Sequence, residues 1–273
     1  MKSTSKKINF LRPNHTRVRW NQYIAHLCII PAYFLGSLNW WVVGLFAFYA
    51  MHGIGSGCGA HRFYTHKSFK ASRWAQIVMA CLFTLSSSGS VIGYVLIHLK
   101  HHRNPDADGD PHDPSRMGAF KTWLGILDKN HLTVDPRAYM RLRQDPILVL
   151  LHDYYFLFIF AYMVMVTWLF GFVGLIFLYM LPVVLQFHAN SALIVLCHRQ
   201  TSGYRNFETQ DRSKNLNFFF RFLLLGEELH NNHHYRPGSC TMNIHNSWKE
   251  LDPLFYLIKY VLSQGDMRVA SKG

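Results

Sequence analysis

Histidines at helical spacing are the residues of this chain best suited to chemistry. Two triplets share the spacing i, i+3, i+4: His98, His101 and His102, and then His230, His233 and His234. Residues at this spacing lie on one face of an α-helix, with their Cβ atoms about 5–6 Å apart. Each triplet can therefore direct three imidazoles at one centre, which predicts that the chain binds metal.

His61 and His66 form a further pair in the stretch HRFYTH. Five residues of an ideal α-helix turn the side chain by about 500°, or about 140° net. The two histidines therefore cannot share one face of a straight helix, so that either the helix breaks between them or each serves a different metal. His198, at the end of a later apolar run, is a candidate for an additional ligand.

Together these histidines exceed what a single tetrahedral zinc site would use, which predicts two metals. Imidazole suits zinc, copper, iron and nickel, so ligand softness does not choose among them. Glu227 precedes His230 by three residues, as in the Glu-x-x-His motif of carboxylate di-iron bundles, but no second such motif accompanies it. A nitrogen-ligated site is the best interpretation, and an oxygen-dependent di-iron centre in a membrane protein matches it.

Carboxylates beside the triplets are candidates to orient the imidazoles. A metal-bound histidine generally donates its other ring N–H to an acceptor. The acidic loop after the first triplet and the glutamates before the second supply four candidates: Asp106, Asp110, Glu227 and Glu228.

The composition indicates that these residues are carried by a membrane protein. Half of the residues are hydrophobic and they lie in long blocks, while the formal net charge is +13. No basic stripe with interleaved aromatic residues supports nucleic-acid binding, and membrane orientation explains the charge better. The five cysteines form no C-x-x-C pair and are interpreted as buried thiols.

Four apolar arms are long enough, with their flanks, to cross a bilayer of about 30 Å. They are residues 21–38, 40–58, 148–170 and 172–196. The turns between them, near Gly36 and Gly171, carry no charge, whereas the first 20 residues are basic and favour the cytoplasmic side. We therefore expect an all-α, multi-pass integral membrane protein of one domain, with four transmembrane helices in two hairpins. Residues 59–147 and 197–273 would form a cytoplasmic helical cap that holds the metal site.

The run from Trp74 to Ile97 is also long and apolar, but it contains four serines and a glycine at its centre. If it crossed the membrane, His98 would lie about 30 Å of hydrocarbon away from His61. We therefore predict that this run does not span and that it delivers the first triplet to the cytoplasmic side.

Three stretches resemble the histidine boxes of the membrane fatty acid desaturases, specifically the class that acts at carbon 9 of saturated acyl chains. They are HRFYTHKSF, HLKHH followed by DGDPHDP, and GYRNFET followed by ELHNNHHYRPGS. The resemblance implies an enzyme that uses two irons, molecular oxygen and two electrons to leave a cis double bond. It also implies that eight box histidines are iron ligands: His61, His66, His98, His101, His102, His230, His233 and His234.

One position departs from the family pattern, which places Asn-x-x-x-His after the last spanning helix. Four residues before His198 the chain has Ile194, and Asn190 lies eight residues before it. Eight residues of helix are about 12 Å, so Asn190 can reach the site through water only if the helix bends or unwinds.

The resemblance implies further partners. A fatty acyl chain would enter an apolar tunnel whose closed end is lined by Leu45 and Tyr49. Electrons must come from outside, because the chain has no haem domain, flavin fingerprint or ferredoxin cysteine set. A basic face that includes Arg62, Lys67, Lys70 and Arg73 could dock an acidic ferredoxin or cytochrome b5.

Two alternatives remain open. A hydroxylase or ketolase of lipids or carotenoids could use the same histidines, because hydroxylation and desaturation diverge only after the first hydrogen abstraction. A membrane metal transporter would need polar residues along the spanning arms, which are nearly free of them apart from His188. We expect His188 to bond a polar partner within the bundle.

Overall fold

The computed structural model describes residues 11–128, 135–199, 201, 203–245 and 248–269. Half of the basic N-terminal segment and residues 129–134 of the predicted cap therefore lie outside the described residues. The described chain is predominantly helical, with two short strands. The five cysteines are free, and all but Cys81 are buried.

The first half of the chain forms helices α1 to α7, one strand and a wide π-helix. In order these are α1 His15–Ala25, a 3₁₀ turn His26–Cys28, α2 Ile29–Leu35, α3 Leu38–Tyr49, a π-helix Ala50–Thr65, β1 Phe69–Ala71, α4 Arg73–Leu85, α5 Val91–Arg103, α6 Pro114–Met117 and α7 Ala119–Trp123.

The second half forms helices α8 to α14 and the second strand. In order these are α8 Pro136–Leu142, α9 Pro146–Asp153, α10 Tyr155–Leu175, a π-helix Ile176–Met180, α11 Leu181–Cys197, a 3₁₀ turn Phe218–Phe220, α12 Arg221–Leu224, α13 His230–Tyr235, a 3₁₀ turn Trp248–Glu250, α14 Pro253–Leu257, a π-helix Ile258–Leu262 and β2 Ser263–Met267.

Two helical segments are long and apolar enough to cross a membrane, Leu38–Thr65 and Tyr155–Cys197. The predicted arm 21–38 differs from the observed element, because helical turns begin at His15 and end at Leu35 before Gly36. The predicted arm 148–170 is divided at Tyr154, whose φ of −116° and ψ of 29° separate α9 from α10. Four crossings in two hairpins remain a prediction.

Gly171 reverses the chain within the second apolar segment. Its φ of 66° and ψ of −165° belong to a region that is essentially restricted to glycine. After the turn the two halves lie side by side, since the Tyr162 hydroxyl donates to the carbonyl oxygen of Leu178 at 3.2 Å. The start of α3 lies at the same end of the molecule, because the rings of Trp40 and Phe170 are 6.2 Å apart.

The run from Trp74 to Ile97 is broken at its serines. Ser87 and Gly89 have φ of 56° and 100°, and they separate α4 from α5, each of 13 residues. A helix of that length extends about 20 Å, which is less than the thickness of the hydrocarbon core. The Ser90 hydroxyl caps α5 by accepting from the backbone N–H of Gly93 at 3.2 Å, and so starts the helix that carries the first triplet.

The C-terminal tail packs against the segment that carries the first histidine box. Strand β2 pairs antiparallel with β1, which follows His66 in the chain. The stretch from Trp248 to Leu262 consists of three short pieces, a 3₁₀ turn, α14 and a π-helix. Leu254 and Ile258 of these pieces are buried in one cluster with Cys58 and Met79.

Candidate metal centre

The nine candidate histidines gather into two groups of ring nitrogens. The first cluster consists of His61, His66, His98, His102 and His233, and the second cluster of His101, His198, His230 and His234. Within each cluster the candidate ligand atoms all lie within 4.8 Å of one another. All nine side chains are thus brought together, from four separate parts of the chain.

The spacing of the nitrogens suits a shared metal ion. The Nε2 atoms of His61 and His233 are 3.1 Å apart, and those of His198 and His230 are 3.0 Å apart. Two imidazoles that bind one metal at about 2.1 Å and at right angles place their nitrogens about 3 Å apart. Five nitrogens in the first cluster exceed a tetrahedral zinc site, and such a set fits a first-row metal of higher coordination number.

Each triplet is divided between the clusters, whereas the sequence suggested that its members face one centre. On α5, His98 and His102 belong to the first cluster and His101 to the second. On an α-helix residues i and i+4 differ by about 40°, and i+3 points about 60° to the other side of i. Helix α13 repeats the arrangement in reverse, because only its middle histidine, His233, joins the first cluster. The two helices therefore bridge both candidate metal positions.

The π-helix explains how His61 and His66 meet in the first cluster. The backbone N–H of His66 donates to the carbonyl oxygen of His61 at 3.1 Å, and this i to i+5 bond places residues five apart nearly above one another. The chain therefore neither breaks between the two histidines nor sends them to different metals. The α-helical rotation used for the prediction was wrong for this segment.

Glycines allow the π-helix to lie against α4. A Cβ atom on Gly55 would be 2.5 Å from the backbone nitrogen of Phe83, and one on Gly59 would be 2.8 Å from the Cβ of Met79. Only residues without a side chain permit this approach, so the glycine-rich stretch before His61 is required for packing.

Four carboxylates contact the Nδ1 atoms that face away from the clusters. Asp110 lies 2.9 Å from His101, Asp106 lies 3.0 Å from His198, and Glu227 contacts His61. Such contacts fix the ring orientation and leave Nε2 to bind the metal.

The fourth carboxylate, Asp211, was missed by the sequence analysis. It lies 2.9 Å from Nδ1 of His234. Its signal was the acid at the end of the stretch GYRNFETQD, ahead of the last box. Glu228 was expected in this role but instead accepts from the backbone N–H of Gly226 at 2.7 Å and from Arg221.

Burial favours the neutral form of six of the nine imidazoles, which is the form that binds metal. It lowers the pKa of His234 to about 3, and the pKa of His66, His98, His102, His230 and His233 well below the usual value. Burial alone would raise the pKa of Glu227, but His61 and Arg62 hold it at about 2. The site thus combines neutral nitrogen donors with ionised acceptors behind them.

Asn190 is hydrogen-bonded within the bundle and lines the same cavity as His198. Its side chain accepts from Gln186 at 3.0 Å and donates to Ser88 at 3.0 Å. Helix α11 continues to Cys197, so it supplies no unwound turn between Asn190 and His198. Ile194 also lines this cavity, at the position where the family pattern has its asparagine.

A cavity of about 290 Å³ opens onto both clusters. It reaches five of the nine histidines: His61, His98, His101, His198 and His230. Part of its wall is apolar, formed by Val18, Ile97, Leu127, Leu193 and Ile194. Leu45 and Tyr49 are not among its lining residues. Leu45 is 43% exposed, and the Tyr49 hydroxyl donates to the carbonyl oxygen of Phe222 at 2.6 Å.

Arg62 is not part of an exposed docking face, contrary to the prediction. Arg62 is only 1% exposed, because its guanidinium is buried between Glu227 and Asp252. Lys67 and Arg73 are exposed or partly exposed at the surface, and Arg73 forms an ion pair with Asp145 at 2.7 Å.

His188 bonds polar partners within the bundle and lies outside both clusters. The indole N–H of Trp123 donates to its Nδ1 at 3.3 Å, and its Nε2 is 3.2 Å from Nε2 of His26.

Comparison with known proteins shows which protein family the chain is similar to. The model of the fatty acid desaturase family matches residues 8–266. The chain is 29% identical over 244 residues to the delta-9 acyl-lipid desaturase 2 of Arabidopsis thaliana, covering 85% of this chain and 74% of that one. It is 28% identical over 231 residues to the sn-1 stearoyl-lipid 9-desaturase of Anabaena variabilis, covering 83% of each. A chloroplastic palmitoyl-monogalactosyldiacylglycerol delta-7 desaturase of Arabidopsis thaliana is also 29% identical, over 88% of this chain and 64% of its own length.

Proposed function

The chain belongs to the fatty acid desaturase family, and from this premise we propose that it introduces a cis double bond at carbon 9 of a saturated acyl chain, with oxygen as co-substrate. Two relatives that carry the number 9 in their names support this position. A delta-7 enzyme of equal identity makes it a question for product analysis.

The observation that carries the proposal is the division of nine histidines into two clusters with nitrogens about 3 Å apart. We assign one iron to each cluster, with the nine histidines as ligands. Two irons held there would supply the activation of dioxygen that removal of hydrogen from an unactivated methylene pair requires.

The residues around the irons have separate tasks in this proposal. Asp106, Asp110, Asp211 and Glu227 orient four of the imidazoles. The apolar cavity wall beside Ile97 and Ile194 would hold the acyl chain against both clusters and limit the access of water. The wall therefore selects which methylene pair lies beside the irons.

The proposal also covers how the protein lies in the membrane and where an electron donor docks. The exposed apolar side chains of α3 and α10, such as Phe46 at 71% and Trp168 at 82%, suit contact with lipid. We assign four crossings with the clusters on the cytoplasmic side, where a ferredoxin or a cytochrome b5 could dock on the surface that bears Lys67 and Arg73.

The test is expression of the full chain in a host whose lipids are saturated, with gas chromatography of the fatty acid methyl esters. We expect a new cis-9 monoene and two irons per chain in the purified protein. A hydroxylated product would favour the hydroxylase alternative, and iron without any new product would contradict desaturation.

A matched pair of histidine variants ties the product to the clusters. His230→Gln removes a nitrogen of the second cluster, whereas His245→Gln changes a histidine that stacks on Phe207 outside both clusters. We expect the first variant to lose the monoene and the second to retain it.

A further inference from the structure

Arg62 lies in a buried ion-pair network beside the first cluster. Its guanidinium donates to Glu227 Oε1 at 2.9 and 3.1 Å and to both oxygens of Asp252 at 2.8 and 3.0 Å. Arg62 and Asp252 are each 1% exposed and Glu227 is 5% exposed. Bidentate contacts of this kind fix the geometry of both partners.

The network connects the C-terminal tail to a candidate ligand. Glu227 uses Oε1 for Arg62 and Oε2 for Nδ1 of His61. Asp252, at the start of α14, is held in turn by the backbone N–H groups of Met242 at 2.8 Å and Phe255 at 3.1 Å. A continuous line of polar contacts therefore runs from the tail through Arg62 and Glu227 to His61.

The charges of the network also suit a cation at the first cluster. One guanidinium and two carboxylates leave a net charge of −1, and the oxygen nearest to the cluster is Oε2 of Glu227. Because Asp252 takes part of the guanidinium charge, Glu227 remains free to polarise the His61 N–H bond. Without Asp252, Glu227 alone would balance the positive charge of the Arg62 guanidinium.

We propose that Asp252 is a positioning residue for the metal of the first cluster, acting through Arg62 and Glu227 on His61. This inference rests on the proposed function, in which that cluster holds one of two irons. Loss of the Asp252 charge draws Glu227 towards Arg62 and weakens its contact with His61, so that the iron of the first cluster is held less tightly.

The experiment compares iron retention by the purified full chain and its variants. Each protein is loaded with iron-57, challenged with a chelator, and followed by iron content and by Mössbauer spectroscopy. For Asp252→Asn we expect one of the two irons to be lost about 10–100 times more readily than in the wild type, while the other is retained. The Mössbauer spectrum should change for one iron only.

Asp266→Asn is the matched control. Asp266 lies in the same tail and pairs with Lys70 at 2.6 Å, but its side chain is 65% exposed and it takes no part in the network. We expect this variant to retain both irons as the wild type does.

A double variant separates positioning from general damage to the fold. Arg62→Gln combined with Asp252→Asn removes one charge of each sign, so that Glu227 again carries the single net charge of the network. We expect the double variant to hold the first-cluster iron more tightly than Asp252→Asn does.

Three results would overturn the inference. The first is retention of both irons by Asp252→Asn, and the second is equal loss from Asp266→Asn. The third is a double variant that holds the first-cluster iron no more tightly than the single variant does. A wild-type protein that binds no iron would instead overturn the proposed function.

Discussion

The two ring nitrogens of a clustered histidine have different partners. In His234 the Nε2 atom faces His101 and His230 at 3.3 and 3.1 Å, while Nδ1 faces Asp211 at 2.9 Å. Because the carboxylate holds the proton on Nδ1, the lone pair of Nε2 is directed at the metal position. The carboxylate thus determines which nitrogen is the ligand.

Asp211→Asn is therefore expected to weaken metal binding at the second cluster. An amide can still accept a hydrogen bond, but it removes the negative charge that makes the imidazole a stronger donor, at a cost of about 10–100-fold in metal affinity. Chelator titration of the iron-loaded protein measures this. Glu208→Gln, at a neighbouring residue whose side chain is 99% exposed, should have no effect. Equal affinities for the two variants would contradict the role of Asp211.

The metal-free protein should lose stability in acid. Burial lowers the pKa of His234 from 6.5 to about 3, so the unfolded chain binds more protons than the folded one below pH 6.5. The contribution of this histidine to the free energy of unfolding is complete above pH 6.5 and is lost as the pH falls towards 3. The loss between pH 6.5 and pH 5 is about 2 kcal/mol.

The pKa values of five further histidines of the clusters are lowered in the same way. Burial raises the pKa of Glu228 to about 7, so this group has the opposite effect on stability between pH 4.5 and 7, but it is a single group. The melting temperature of metal-free protein should therefore fall between pH 7.5 and 5. A constant or rising melting temperature would contradict this.

At the scale of elements, the sequence predicted which segments carry the clustered histidines but not how each segment is wound. The spacing of His98, His101 and His102 predicted a helix, and α5 directs all three histidines into the two clusters. The pair His61 and His66 was interpreted with α-helical geometry, although the segment Ala50–Thr65 is a π-helix. Local propensity does not contain that information, because the wider winding depends on close packing against α4.

Gly55→Ala tests this packing. The added methyl group would lie 2.5 Å from the backbone nitrogen of Phe83, and such overpacking typically costs about 1–3 kcal/mol. We expect a lower melting temperature and a smaller amount of bound iron, because the π-helix also carries His61.

Gly93→Ala is the control for the change of residue type. Gly93 lies in α5, and a Cβ atom there would meet only the Ser90 hydroxyl at 3.5 Å. Alanine is better than glycine within a helix by about 0.5–1 kcal/mol, so this variant should be as stable as the wild type or more so. Similar losses of stability in both variants would contradict the packing argument.

At the scale of the whole molecule, long-range contacts decided what the sequence could not. Arg62 was predicted on a basic face together with Lys67 and Arg73, yet Asp252, 190 residues away, buries it. Leu45 and Tyr49 precede the first box by a suitable length of helix, but the cavity lies on another side of the clusters, against α1, α5 and α11. Such placements depend on the packing of distant segments, which spacing within one segment does not report.

The two turns at Gly36 and Gly171 should lie on the side of the membrane opposite to the clusters. Rings next to these turns, Trp40 and Phe170, are 6.2 Å apart, so both turns are at one end of the molecule. From that end the helical segment Leu38–Thr65, of 28 residues, extends about 35–40 Å to the first box, which exceeds the thickness of the hydrocarbon core.

Cysteine labelling tests this arrangement, because four of the five native thiols are buried and Cys81 is partly buried. Phe172→Cys places a thiol beside the second turn at a residue that is 53% exposed, and Glu208→Cys places one in the cap. A membrane-impermeant maleimide should label Phe172→Cys in intact cells, and Glu208→Cys only in inverted membrane vesicles. Labelling of both thiols from one side would mean that the arms do not cross, since about 30 Å of hydrocarbon cannot separate sites that face the same solution. The clusters and the turns would then lie on the same side of the membrane. The exposed apolar side chains of the arms would have to be covered by something other than lipid.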